Sequence, residues 1–329
     1  MSLIWAGGED MDFTWPTSGF YQLDTGDRYR PGYSRHALTT LAVAGVAKSN
    51  PFPGGAVTSC WYSVQFKWLG GIVTSMQFVG LGDSTTTDKG LYIGVSSTST
   101  SKYALGTYDG STWTELAVES GTSITTSLVK LDMQLINYGA TATVNVYLNT
   151  ALIITFTGDI TISGVSGFDP VFVVGSTSSN ISVSEHTVCT TDTRSFSLVT
   201  QYLNAAGDSN QWGGAYTDIN ESTLNDATII YTNTDSQIGL FNLSELPSGS
   251  FTVRGSMIAA RCTKTSDSSI SQVKLGVKSG GTTTVDSGHS PSVATFNSFN
   301  RIMDVNPVTS VAFTQSEMGS LQLALESAT

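Results

Sequence analysis

Glu115 and Glu119, in the run TELAVE, are four residues apart and share one face of the chain if that run is extended. Hydrolysis of a glycosidic bond needs two carboxylates facing one groove. A solvated strand face accounts better for these two, and no catalytic residue is assigned. The three histidines, His36, His186 and His289, stand in unrelated contexts, and no Gly-x-Ser-x-Gly elbow accompanies them. His186, between Glu185 and Thr187 on an expected strand, reads as a surface or interface residue rather than a base. Cys60, Cys189 and Cys262 have neither metal-ligand spacing nor the closeness of a local staple, so each reads as a small core residue. The chain is expected not to be an enzyme.

Binding without catalysis asks for less. A sugar needs an exposed aromatic ring with amides and carboxylates beside it, and two places offer that set. One is Tyr108 and Trp113 beside Asp109; the other is Trp212 and Tyr216 beside Asn210 and Gln211. Trp113 falls on an expected strand and is expected to face the core. Trp212 falls in an expected loop, where burial against a neighbouring subunit competes with a glycan, and the interface is the favoured reading because aromatic residues anchor interfaces.

The elements that must carry these residues are strands. Charged residues make up only 12% of the 329, against 40% apolar, and Ser plus Thr fill roughly a quarter of the chain. Hydroxyl and β-branched residues suit the solvent face of a sheet. The net charge of −11, with no basic cluster, argues against a nucleic-acid partner. No run approaches the length of a membrane span, and MSLIWAGGEDMDF shows no cationic start or cleavage pattern. The expectation is a protein made in a reducing cytoplasm, or one that leaves the cell by lysis or particle assembly rather than by secretion.

Periodicity is plainest from Leu128 to Gly158. Val129, Leu131, Met133 and Leu135 alternate with Lys130, Asp132 and Gln134; Val144, Val146 and Leu148 alternate with Asn145 and Tyr147; Leu152, Ile154 and Phe156 follow after a link at Asn149-Thr150. A period of two with one apolar face means antiparallel strands that must be covered by a second sheet. Tyr62, Val64, Phe66 and Trp68 repeat the pattern, and residues 36–48 read equally as helix or strand. The 205–225 stretch, AAGDSNQWGGAYTDINESTLN, lacks strand periodicity and reads as a long connecting loop. Apolar alternation then resumes and ends at Leu321, Leu323 and Leu325, placed on a closing strand from Met318. The expected division is a β-sandwich with an N-terminal arm over 1–193, a connecting segment over 194–227 and a smaller β domain over 228–329.

The meander over 128–158 resembles the concanavalin or laminin-G-like jelly roll, with Asn149-Thr150 where that pattern commonly has Asn-Gly. The resemblance implies an all-β antiparallel sandwich. Its catalytic members carry three acids at alternate strand positions, whereas Ala117 stands between Glu115 and Glu119. It also raises a calcium ion in a rim loop, with oxygen ligands from Asp24 and Asp27, Asp83 and Asp88, or Asp208 and Asn210. Each of these is equally an Asx-turn, and no cofactor is expected.

A wider resemblance follows from the order of four stretches: Leu3 to Phe13, Leu128 to Gly158, Gly207-Asp208 through Trp212, and Asp304-Val305-Asn306-Pro307 leading to Met318-Gly319-Ser320-Leu321-Gln322-Leu323. In that order the chain resembles virion structural proteins of tailed bacteriophages. The resemblance implies a homo-oligomer bound to other virion proteins, assembled in the host cytoplasm and located in the virion. Phe313-Thr314 departs from the Trp-Thr pair common there, and Glu185-His186 with Asp192 from paired aspartates. The alternative is an adhesion module that binds a carbohydrate of the host surface.

Overall fold

The computed structural model describes residues 2–7, 12–14, 20–23, 28–35, 37–41, 44–121, 124–221, 225–266 and 268–329. The chain divides into two compact units, Ser2–Leu198 and Val199–Thr329. His36, Asp24 and Asp27 lie outside the described residues.

The first unit is the expected antiparallel sandwich. One sheet runs in the order Ala151–Gly158, Ala142–Leu148, Val129–Ile136, Cys60–Gly70, Asn180–Cys189, Ala37–Leu41, Phe20–Leu23, with Leu3–Gly7 also paired to Asn180–Cys189. The other runs Trp113–Val118, Tyr103–Tyr108, Gly90–Val95, Gln77–Gly82, Val171–Gly175, Gly45–Ser49, Phe13–Thr14. Residues 37–41 and 45–49 thus settle as strands, the state that β-branched residues favour, while Gly45 disfavours the helical alternative. Register aligns Val146, Met133, Tyr62 and Val188 across the first sheet and Ala47, Val173, Val79, Ile93 and Leu105 across the second. All of these are buried. Between the layers Phe66 stacks on Phe78 with centroids 4.5 Å apart, and Trp68 and Tyr103 meet Phe78 edge-on.

His186 belongs to this core, not to the surface. A bulge at Glu185, which holds φ of 55°, shifts the register between Ser184 and Thr187 and turns the imidazole inward. There Nδ1 meets the Tyr62 hydroxyl at 2.9 Å, and the ring packs against Trp5, Phe13 and Tyr62. Burial disfavours the imidazolium and pulls the pKa down to about 3. Cys60 and Cys189 are free and buried, as expected of core thiols, while Cys262 is only partly covered.

The link of the 128–158 meander is a tight hairpin in which Asn149 and Thr150 both take positive φ, 48° and 76°. Thr150 therefore occupies the position that the common Asn-Gly turn gives to glycine. The third run forms the sheet edge, and Leu152 is exposed there while Ile154 is buried.

Part of the outward face of the first sheet is covered. Residues 190–198 lie across it, with the Lys130 ammonium donating to the carbonyls of Thr193, Arg194 and Phe196 at 2.5, 3.1 and 2.8 Å. The Thr193 hydroxyl donates to buried Asp132 at 2.7 Å, and Arg194 lies over the stacked rings of Trp61 and Tyr147. Beside them Arg30 pairs with buried Glu185. Burial lowers the Lys130 pKa and raises that of Glu185, the paired charges opposing each shift.

The second unit is built on a sheet in the order Leu203–Asn210, Ile238–Leu243, Gln322–Ala328, Gln272–Ser279, Thr282–Val285, and a separate ladder of Ser256–Cys262 with Asn297–Met303. Its core gathers Phe241, Leu275, Val277, Phe313, Met318 and Leu325. Residues 203–210 are thus a strand and not part of a connecting loop, because pairing with Ile238–Leu243 overrides their weak local pattern. The closing strand begins at Gln322. Met318 lies instead in the helix Gln315–Ser320, which a reciprocal cap between Thr314 and Glu317 starts. No helix among the described residues is long and apolar enough to cross a membrane.

Two outcomes follow from this architecture. Replacing Thr150 by Gly relieves a β-branched residue at positive φ and is expected to stabilise the first unit by about 1 kcal/mol, read as a rise in Tm. His186 is neutral in the fold and titrates near 6.5 when unfolded, so the unfolded chain binds the extra proton between those values. Stability is then fully present above pH 6.5 and falls as pH drops towards 3, by up to about 5 kcal/mol. Denaturant melts of the native chain and His186→Phe between pH 7 and 4.5 should diverge, with the variant flatter.

Candidate functional site

The second sheet's outward face is built from glycines and rings. Strand alternation turns Lys48, Phe172, Gly80, Tyr92 and Gly106 outward in one register row. Any side chain at Gly80 or Gly82 would run into the Tyr92 or Phe172 ring, and a methyl at Gly106 would stand 2.5 Å from the Trp113 indole. The missing Cβ atoms let these rings lie along the sheet. Tyr92 and Phe172 sit with centroids 6.1 Å apart, and the Lys48 ammonium stands 5.6 Å over Phe172.

The loop between Gly82 and Gly90 packs over part of this face. Asp83 accepts from the Thr85 amide at 2.7 Å in an Asx-turn, and Asp169 accepts from the Ser84 amide and hydroxyl at 2.8 and 2.6 Å. Lys48 donates to the Thr86 carbonyl and the Tyr92 hydroxyl to the Asp88 carbonyl. Beside the loop remains a hollow of about 170 Å³ lined by Gly45, Val46, Gln77, Asp88, Tyr92, Tyr108 and Val174. Its lining is apolar at Val46 and Val174, aromatic at Tyr92 and Tyr108, and polar at Gln77 and Asp88.

Desolvation raises the pKa of Asp88, with Lys48 acting against the shift and Asp109 adding to it. Tyr108 is raised by desolvation and by the charges of Asp88 and Asp109. Asp109 itself is held low by the Thr112 amide and by Ser111, from which it accepts at 2.8 to 2.9 Å. The hollow therefore joins a hydrogen-bond acceptor, an amide and aromatic faces in one small concavity. That set suits a ligand with hydroxyl donors and apolar C–H faces.

The sequence expectations meet this geometry unevenly. Tyr108 and Asp88 line the hollow, and Trp113 lies on the outward side over Gly106 and not in the core. Gln77 and Tyr92 went unnoticed. Their signal was present in same-face glycines on strands that pair, Gly80 and Gly82 two apart and Gly90 and Gly94 four apart with Tyr92 between them. Glu115 accepts from the Ser97 amide at 2.6 Å, while Glu119 is buried beyond the strand end. A bulge between Glu115 and Ala117 breaks the alternation on which their shared face depended. His289 meets Asp286 at 2.8 Å in the second unit.

In the second unit Trp212 donates its indole N–H to the Gln237 carbonyl at 3.0 Å, and both Trp212 and Tyr216 pack against the core. Asn210 accepts from the Trp212 amide at 3.1 Å, and Gln211 from the Ile238 amide at 2.8 Å. The four residues are thus brought together, with the two rings turned inward and the amides bracing the loop. Asp208 pairs with Lys278 and accepts from Gln322. Among the described residues no group of three or more His, Cys, Asp or Glu side chains is disposed to hold a metal ion.

No family model and no curated protein matches the sequence. Solved structures with a similar arrangement include a carbohydrate-binding module of Bacillus subtilis, 11% identical, TM-score 0.37, covering 54% of this chain and 96% of that one. An endo-β-1,4-glucuronan lyase of the fungus Trichoderma reesei is 9% identical with TM-score 0.41, over 58% and 96%. The receptor-binding domain of botulinum neurotoxin type G is 9% identical with TM-score 0.37, over 74% and 72%. With identities of 9–11% and TM-scores of 0.37–0.41, these likenesses assign neither a family nor an activity.

Proposed function

We propose that the first unit is a non-catalytic carbohydrate-binding module and that the hollow on its second sheet takes one sugar ring of a glycan. The observation that carries this reading is the convergence of Tyr108, Gln77 and Asp88 around a concavity of about 170 Å³ whose remaining walls are apolar. Tyr108 offers a ring face to sugar C–H groups, and Asp88 and Gln77 accept from and donate to its hydroxyls. The short contacts within the 83–89 loop and the Tyr92 bond to Asp88 hold the acceptor in place before a ligand arrives, which reduces the ordering cost of binding.

A second reading, a structural protein of a tailed-phage virion, is supported by the end-to-end order of the four sequence stretches. The two are compatible, since one virion component can both build the particle and carry a glycan site.

The test is a glycan array followed by calorimetry on the full chain. Tyr108→Ala and Asp88→Asn are each expected to weaken the best glycan about tenfold, the loss of one packed ring face or one charged hydrogen bond. Because desolvation raises the Asp88 pKa, its protonation sets in at a higher pH than for an ordinary carboxylate, and affinity should fall with it. An array without binding, or affinities untouched by both substitutions, sinks the proposal.

A further inference from the structure

The segment around Trp212 does present an aromatic ring to solvent, but the ring is that of Tyr231. At 65% exposure Tyr231 is the most exposed large hydrophobic side chain among the described residues. It is nevertheless fixed. Its amide donates to the Gly213 carbonyl at 3.0 Å and its carbonyl accepts from the Gly213 amide at 2.8 Å, an isolated antiparallel bridge. The ring lies on Gly213 itself: a methyl there would stand 2.7 Å from Cζ and 2.9 Å from Cε2. One face is thus seated on bare backbone and the other is open.

The support beneath is polar and braced. Asn210 accepts from the Trp212 amide and donates to the Gly214 carbonyl at 3.1 Å, and Asp218 accepts from the Ala215 amide at 2.8 Å. Trp212, Tyr216 and Ile230 pack downward into the core and leave Tyr231 as the outward ring. Leaving an aromatic ring in water forfeits its burial energy, so packing gives no reason to hold it there. Near the Gly213 bridge the exposed side chains of Asn210, Gln211 and Asn233 are amides suited to a hydroxylated ligand, alongside Ile229, which is 44% exposed.

We propose that Tyr231 is a second carbohydrate-contact site, in the second unit, where one pyranose ring stacks on the open face of the phenol. It shares a ligand class with the hollow of the first unit but rests on its own geometry. The amides of Asn210 and Gln211 are spent within the loop, so the contact is mainly one of stacking, and it is expected to discriminate little between pyranoses that present an equatorial, C–H-rich face.

The experiment is an NMR titration of the full chain carrying ¹³C-labelled tyrosine rings with methyl β-D-glucopyranoside, methyl β-D-galactopyranoside and methyl N-acetyl-β-D-glucosaminide. The Tyr231 resonance, assigned by its loss in Tyr231→Ala, is expected to shift saturably with at least one of them, in the native chain and equally in Tyr108→Ala. Gly213→Ala keeps the phenol but tilts it off its seat, and is expected to weaken that titration about fivefold. A Tyr231 resonance that does not move with any probe overturns the site, as does one whose shift disappears in Tyr108→Ala. Concentration-dependent broadening of Tyr231 without sugar shifts would assign the ring to a protein contact and overturn it too. A failure of the first-unit hollow shows instead at Tyr108, so the two proposals fall separately.

Discussion

The stack of Phe66 on Phe78 is the contact from which the first unit's other features follow. It joins strands of opposite sheets, at 4.5 Å between centroids, and Trp68 and Tyr103 close around it. Those rings fix which side of each strand faces inward, and the two-residue period carries that choice along the strand until a bulge, as at Glu185 or between Gln77 and Val79, resets it. Lys130, Asp132 and Glu185 must then point out of one sheet, and Tyr92, Phe172 and Lys48 out of the other. Each outward face inherits residues that solvent alone does not suit, and each is dealt with differently.

On the first sheet the outward residues are charged, and the chain covers them. A buried ammonium is tolerable only if its protons are met, and Lys130 meets three carbonyls of the 190–198 segment while Asp132 takes the Thr193 hydroxyl. Such burial adds little net stability, but a misplaced segment would leave both charges unpaired, so it specifies where the segment lies. On the second sheet the outward residues are aromatic, and glycine backbones receive them. The 83–89 loop then covers Tyr92 and Phe172 but stops short of Tyr108, and the uncovered remainder is the hollow.

Sequence periodicity located the strands whose buried faces are uniform, such as Cys60–Gly70 and Val129–Ile136, since in these the local pattern and the tertiary environment agree. It misplaced residues governed by a single irregularity. One bulge at Glu185 moved His186 from the expected surface to the core, and one between Glu115 and Ala117 undid a carboxylate pair. Residues 203–210 have little pattern of their own and became a strand because a partner was available. Of the candidate site, Tyr108, Asp88 and the 210–216 segment were visible as residue types. Which ring faces out was not, because that depends on which glycine lies opposite, set by register between neighbouring strands for Gly106 and Trp113, between distant ones for Gly82 and Phe172, and across a loop for Gly213 and Tyr231.

That dependence has a physical consequence common to both units. A tyrosine or tryptophan free to rotate at a surface loses conformational entropy when a ligand stacks on it, and the weak energy of one ring contact leaves little to spare. A ring laid on a glycine backbone has already lost that freedom during folding, where the cooperative stability of the sheet or loop covers the cost. Glycine contributes by absence, since any Cβ would prop the ring up and return its mobility. Trp113 on Gly106 and Tyr231 on Gly213 are the same device on unrelated backbones, one at a sheet edge and one on an isolated bridge. On the proposed carbohydrate reading, preorganised aromatic faces supply the stacking, and the charge-poor composition, with Ser and Thr at roughly a quarter of the chain, supplies polar surroundings.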